Sequence, residues 1–152
     1  VIGGIAGAMP PLLGWTAVTN SVDPLPLLMV LIIFIWTPPH FWALSINRKE
    51  DYLAAKIPMM PVIKGIEYTK IQIALYSVLL ATISLFPFAT GYLGGFYFLS
   101  GVLLNVIFIG MAVALIFDKT NKLALPLFLY SIVYLTALFI FMVLDRLIPI
   151  QL

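Results

Sequence analysis

The chain of 152 residues is 63% hydrophobic and 9% charged, with a net charge of +2, whereas a soluble domain is about 45–50% apolar and about 25% charged. So short a chain cannot hide that excess inside itself, which all but excludes a soluble domain, a disordered chain or a nucleic-acid module and predicts a surface facing lipid. Cysteine is absent and a single histidine is present, which removes disulfide frameworks and multi-histidine metal sites from consideration.

Five apolar stretches approach the roughly 20 residues needed to cross a bilayer: residues 1–18, 25–46, 71–90, 96–117 and 123–144. They are unbroken rather than alternating, which favours helices over barrel strands. The predicted architecture is therefore an all-α, polytopic transmembrane helical bundle forming a single domain. The chain opens on Val1 and a Gly/Ala-rich stretch with no charged leader, the pattern expected of a chain entered part-way rather than of a signal peptide.

The first segment is rich in small residues, Gly3, Gly4, Gly7, Ala8 and Gly14. Gly3 and Gly7, four apart, allow either close approach of another helix or room for a bulky ligand. Pro10 and Pro11 are expected to kink or break it, because neither has a backbone donor. The second segment ends in Trp36-Thr37-Pro38-Pro39-His40-Phe41-Trp42. An ionisable group within a span is a functional-site hypothesis by default. A hydrogen bond from His40 to a neighbouring helix is the equal alternative.

Residues 47–70 are too polar for a span and too long for a tight turn. Asn47 to Lys56 contains neither Gly nor Pro and is expected to prolong the second helix by nearly three turns, until Pro58 and Pro61 stop it. At about 100° per residue, His40, Asn47 and Asp51 then share one face, with His40 and Asp51 about 16 Å apart along the axis. That is a polar stripe from membrane depth to the mouth of the bundle, provided the helix is unbroken. Arg48, Lys49, Lys56, Lys64 and Lys70 lie in this loop, Lys119 and Lys122 in the loop near 120, and Arg146 at the other end. The positive-inside rule places the 47–70 loop on the cytoplasmic side. Tyr92, Phe96, Tyr97 and Phe98 are then expected in the outer interfacial belt.

Topology and anionic lipid account for such cations. The same groups suit a diphosphate, with lysine as a point charge and arginine as a fork. Asp51 suits Mg²⁺, which takes one or two carboxylates alongside substrate phosphate, and equally suits an ion pair with Arg48 three residues away.

Three blocks carry a family resemblance: Gly7 to Trp15 (Gly-Ala-Met-Pro-Pro-Leu-Leu-Gly-Trp), Trp36 to Leu44 (Trp-Thr-Pro-Pro-His-Phe-Trp-Ala-Leu) and Asp51 to Val62 (Asp-Tyr-Leu-Ala-Ala-Lys-Ile-Pro-Met-Met-Pro-Val), followed by Lys64-Gly65. In order and spacing they resemble the protohaem IX farnesyltransferases, or haem O synthases, a branch of the UbiA-type intramembrane prenyltransferases. The resemblance covers the C-terminal half of such enzymes. An upstream Asp-rich motif that would bind Mg²⁺ and diphosphate is not among these residues, so this piece alone is expected to be inactive.

The resemblance implies transfer of a farnesyl group from farnesyl diphosphate to a vinyl group of haem B, with Mg²⁺ as cofactor. It implies Asp51 as metal ligand, and Asp51-Tyr52 as what remains of a second acidic motif in the catalytic role, with Ala55 where relatives often carry another acid. Arg48, Lys56 and Lys64 are the expected diphosphate contacts. His40 is expected to touch the haem iron or a propionate, with Asn47 on the same polar stripe and Trp36, Phe41 and Trp42 lining the cavity. The implied partners are farnesyl diphosphate, haem B and the lipid bilayer, with possible handover to a haem A synthase or terminal-oxidase assembly and no nucleic acid. The implied location is the bacterial or mitochondrial inner membrane. Two alternatives stand beside this: a relative acting on another acceptor such as a quinone precursor, and a transporter or haem-binding membrane subunit.

Overall fold

The computed structural model describes residues 2–147, with side-chain surroundings from Gly4 onward; Val1 and the surroundings of Gly3, both in the first predicted segment, lie outside that range. The helices are α1 (Ile2–Ala8), α2 (Pro10–Thr19), α3 (Pro24–Asn47), α4 (Lys49–Ala54), α5 (Met60–Ile63), α6 (Ile66–Ser84), α7 (Phe86–Ala89), α8 (Gly95–Phe117) and α9 (Ala124–Leu147). Among the described residues four units are long and apolar enough to cross a membrane: α3, α6 continued by α7, α8 and α9. The fold is an all-α polytopic bundle.

The first predicted span is two short helices instead of one. Pro10 and Pro11 open α2, and neither can donate back to the carbonyls of α1, so the chain breaks at Met9. Both short helices pack on α3. A Cβ added at Gly4 would stand 3.6 Å from Thr37 Cγ2, ordinary contact with α3, while one at Gly7 would meet nothing within 4 Å. Pro38 and Pro39, by contrast, lie inside α3 without ending it.

The long helices pack in the cyclic order α3–α6–α8–α9. Ile32, Ile73, Leu80, Phe108, Leu127 and Leu138 meet in the core. Large aliphatic side chains such as Leu99, Leu103, Val133 and Val143 point outward, as lipid-facing positions of a bundle do.

At the end of the bundle carrying the 47–65 and 118–123 loops, Lys70 departs from expectation. It is not a loop cation: α6 begins at Ile66, ahead of the apolar run, because Gly65 at φ +87° turns the chain and Thr69 Oγ1 donates back to the Gly65 carbonyl at 2.8 Å. Lys70 is 1% exposed. Its Nζ donates to the Asp118 carbonyl at 2.8 Å and to Glu67 Oε1 at 3.0 Å. A cation at the last carbonyls of α8 complements that helix's dipole, which joins α6 to α8.

Asp118 organises the turn that follows. Its Oδ1 accepts from the Thr120 hydroxyl at 2.6 Å and the Thr120 N–H at 2.8 Å, and its Oδ2 from the Leu123 N–H at 2.8 Å. Those bonds, the Thr120 hydroxyl foremost and then the Leu123 amide, hold its carboxyl below the usual carboxylate range, at about 2. A lowered folded-state value means that the stabilisation is present above the ordinary pKa of 3.8 and lost as pH falls toward about 2. Thermal stability followed from pH 6 to pH 2 is therefore expected to show an acid-side decline that D118N reduces. Identical profiles would contradict it.

At the opposite end Tyr92, Phe96 and Phe98 are half-buried. Tyr97 is fully buried rather than in an interfacial belt, donating its hydroxyl proton to the Ser84 carbonyl at 2.5 Å. Asn105 Nδ2 donates to Ser84 Oγ at 2.9 Å, and the Tyr134 hydroxyl to Asn105 Oδ1 at 2.8 Å, so α6, α8 and α9 share one hydrogen-bonded chain. The reason is that polar groups in hydrocarbon must find partners within the protein. Asp145 of α9 reaches across to the start of α8, where its carboxylate accepts from the Gly94 N–H at 2.5 Å and the Tyr97 N–H at 2.9 Å. It caps a helix from a different helix.

Candidate functional site

The sequence-predicted residues fall into two groups. In the first, Trp36 and His40 lie one turn apart on α3 and both dock on Ser131 of α9. Trp36 Nε1 donates to the Ser131 carbonyl at 2.8 Å, and His40 Nδ1 lies 2.6 Å from Ser131 Oγ. The imidazole is stacked between Trp36 and Phe128, with ring centroids 4.2 Å and 4.6 Å away, and Phe41 meets its edge at 5.3 Å. Trp42 turns elsewhere, edge-on to Tyr76 at 5.1 Å.

In the second group, Asn47, Arg48 and Asp51, together with Glu50, line an open recess of about 170 Å³. Arg48 Nη1 donates to Asp51 Oδ2 at 3.2 Å, with both side chains mostly exposed. Tyr52, half-buried, follows in α4. Lys56 and Lys64 are exposed just beyond α4 and α5 and are not among the residues lining that recess. Lys56 holds φ +56°, while Lys64 closes α5 with its N–H on the Met60 carbonyl at 2.8 Å.

The continuous stripe from His40 to Asp51 is not realised. Helix α3 stops at Asn47, Arg48 leaves helical geometry at φ −105° and ψ 25°, and α4 restarts for six residues. So His40 and Asn47 belong to one helix and Asp51 to another, and the prolongation is shorter than predicted. Glu50 and Asp51 then fall in the first turn of α4, where carboxylates suit the positive end of the dipole. That compensates the break in a way that carboxylates mid-helix would not.

Among the described residues no cluster of three His, Cys, Asp or Glu side chains forms a metal cage. A magnesium ion keeps several waters and needs only one or two carboxylates when phosphate supplies the rest. The two carboxylates of the recess, Glu50 and Asp51, therefore suit an ion that arrives with phosphate and do not make a cage that would hold one unaided.

Sequence reasoning missed Ser131. Its hydroxyl lies in an apolar helix, and the one available signal was that a serine in hydrocarbon needs a partner; which partner depends on how α3 and α9 are rotated.

The UbiA prenyltransferase family matches residues 1–143. The chain is 56% identical over 146 residues to a protoheme IX farnesyltransferase of Saccharophagus degradans, covering 96% of this chain and 48% of that protein. It is 54% identical to the one of Marinobacter nauticus, with the same coverage of 96% and 48%. To that of Hahella chejuensis it is 51% identical over 152 residues, 100% of this chain and 51% of the relative. The chain thus spans about half the length of the curated relatives it matches. No solved structure matches it. With four membrane-length apolar helices and a family match along nearly its whole length, the chain is an integral, multi-pass membrane protein belonging to the UbiA prenyltransferase family.

Proposed function

We propose that the chain is part of a protohaem IX farnesyltransferase, which moves the farnesyl group of farnesyl diphosphate onto a vinyl group of haem B and adds water to give haem O and diphosphate. The observation that carries this reading is identity of 51–56% along the whole chain to enzymes of that name. The recess supports it: a carboxylate and a guanidinium stand together where the apolar bundle ends, the chemistry a lipid-tailed diphosphate needs.

In this reading Arg48, Lys56 and Lys64 draw charge from the departing diphosphate as the allylic C–O bond ionises. Asp51 would hold Mg²⁺, which when bound would supply Lewis-acid stabilisation of the leaving group. Tyr52 and Asn47 flank that site, while Trp36 and His40 belong to the haem side. The bundle's apolar interior keeps bulk water from the farnesyl cation. The loops around 47–65 and 118–123 face the cytoplasm or matrix across an inner membrane, and the product passes to a haem A synthase or a terminal-oxidase assembly.

Incubating the full-length enzyme with farnesyl diphosphate, Mg²⁺ and either haem B or an aromatic quinone precursor tests this. Haem O, identified by mass, is the expected product. Prenylation of the aromatic acceptor alone would move the protein to another branch, and no prenylated product from either acceptor would overturn the reading.

A further inference from the structure

Ser131 is fully buried, and its hydroxyl has one proton to donate. Its Oγ lies 2.5 Å from the Phe128 carbonyl oxygen and 2.6 Å from His40 Nδ1. A carbonyl only accepts. Two oxygens that close repel unless a proton lies between them, so the serine proton goes to Phe128. What Oγ then offers His40 is a lone pair, and Nδ1 must be the ring nitrogen that carries hydrogen. Nε2 is left with a bare lone pair. The ring cannot easily turn over to exchange the two nitrogens, because the stacked rings of Trp36 and Phe128 hold it at interplanar angles of 21° and 28°. Within the described residues Nε2 has no hydrogen-bond partner, and the residue is half-buried.

We propose that Ser131 is a positioning residue that fixes the His40 tautomer, so that His40 offers a lone pair to the haem iron rather than a proton to a haem propionate. The inference rests on the haem-farnesylating reading above. It separates the two haem contacts by their chemistry. A carboxylate only accepts, as a bare Nε2 does, so the two repel. Iron takes an imidazole nitrogen, and a hydrogen-bond acceptor on the opposite N–H orients the ring and raises its basicity. The Trp36 bond goes to the Ser131 backbone carbonyl, so it survives loss of the hydroxyl and keeps α3 docked on α9 in a Ser131→Ala variant.

The test uses the full-length enzyme in detergent. Ferric haem B binding is followed by the Soret band, farnesyl diphosphate binding by calorimetry, and the iron–histidine stretch of the ferrous complex by resonance Raman. Ser131→Ala is expected to weaken haem binding about 10–100-fold and to lower the stretching frequency, with farnesyl diphosphate affinity unchanged. His40→Ala should abolish the histidine-ligated spectrum. Wild-type haem affinity and stretching frequency in Ser131→Ala, beside a lost spectrum in His40→Ala, would overturn the role of Ser131 and leave His40 as a haem contact. Equal loss of haem and farnesyl diphosphate binding in Ser131→Ala would also overturn it, since a merely structural serine behaves that way. An unchanged spectrum in His40→Ala would overturn iron ligation itself. Failure of the wild-type enzyme to bind haem would instead overturn the haem-farnesylating reading.

Discussion

Replacing Asp51 by alanine in the full-length enzyme is expected to lower haem O formation by about 10²–10³-fold, the usual cost of removing one electrostatic stabiliser of a developing anion. Thermal unfolding should hardly change. The structure explains why the two readouts part. Asp51 and Arg48 are 69% and 64% exposed and meet at 3.2 Å, and such surface pairs contribute about 0–1 kcal/mol. If ion pairing with Arg48 were the whole purpose of Asp51, the variant would be nearly silent in both assays. Asp51→Asn keeps the shape and loses the charge, so it should be nearly as impaired as the alanine variant and should require more Mg²⁺ for half-maximal rate. Near-normal turnover in either variant would remove Asp51 from the site.

The largest expected loss of stability comes from Asp145→Ala. Asp145 is 7% exposed, and its carboxylate accepts from the Gly94 and Tyr97 amides. Truncation leaves two donors without partners at the start of α8, and each such buried group costs about 1–3 kcal/mol. A loss of about 2–6 kcal/mol is the expected total, read from unfolding of the full-length protein in detergent. Asp145→Asn, which keeps one acceptor oxygen and loses the charge, should fall between. A change under about 0.5 kcal/mol, the ordinary range for surface substitutions, would show that water replaces the carboxylate at no cost.

These two carboxylates also show what was legible in the sequence. The bundle was, because unbroken apolar runs bounded by Pro24, Gly95 and Asp118 leave few alternatives to long helices. The first segment was half legible: Pro10-Pro11 announced a break, yet its apolar length still suggested a span. Asp51 stood out as a carboxylate in a cationic loop that matched a family block. Asp145 did not, since nothing near it in sequence says that it reaches the start of another helix. The same holds for Lys70, Tyr97 and Ser131. Helices apolar on nearly every side carry no stripe that marks the inward face, so contacts between helices depend on rotations that the residue order leaves undetermined. The His40–Asp51 stripe failed for a related reason: it extrapolated one straight helix through Arg48, where the chain bends.

Helix α8 is fastened at both of its termini, and to different neighbours. Asp145 of α9 grips its beginning, and Lys70 of α6 grips its end. A piston-like slide of α8 along its own axis would have to undo one clamp or the other.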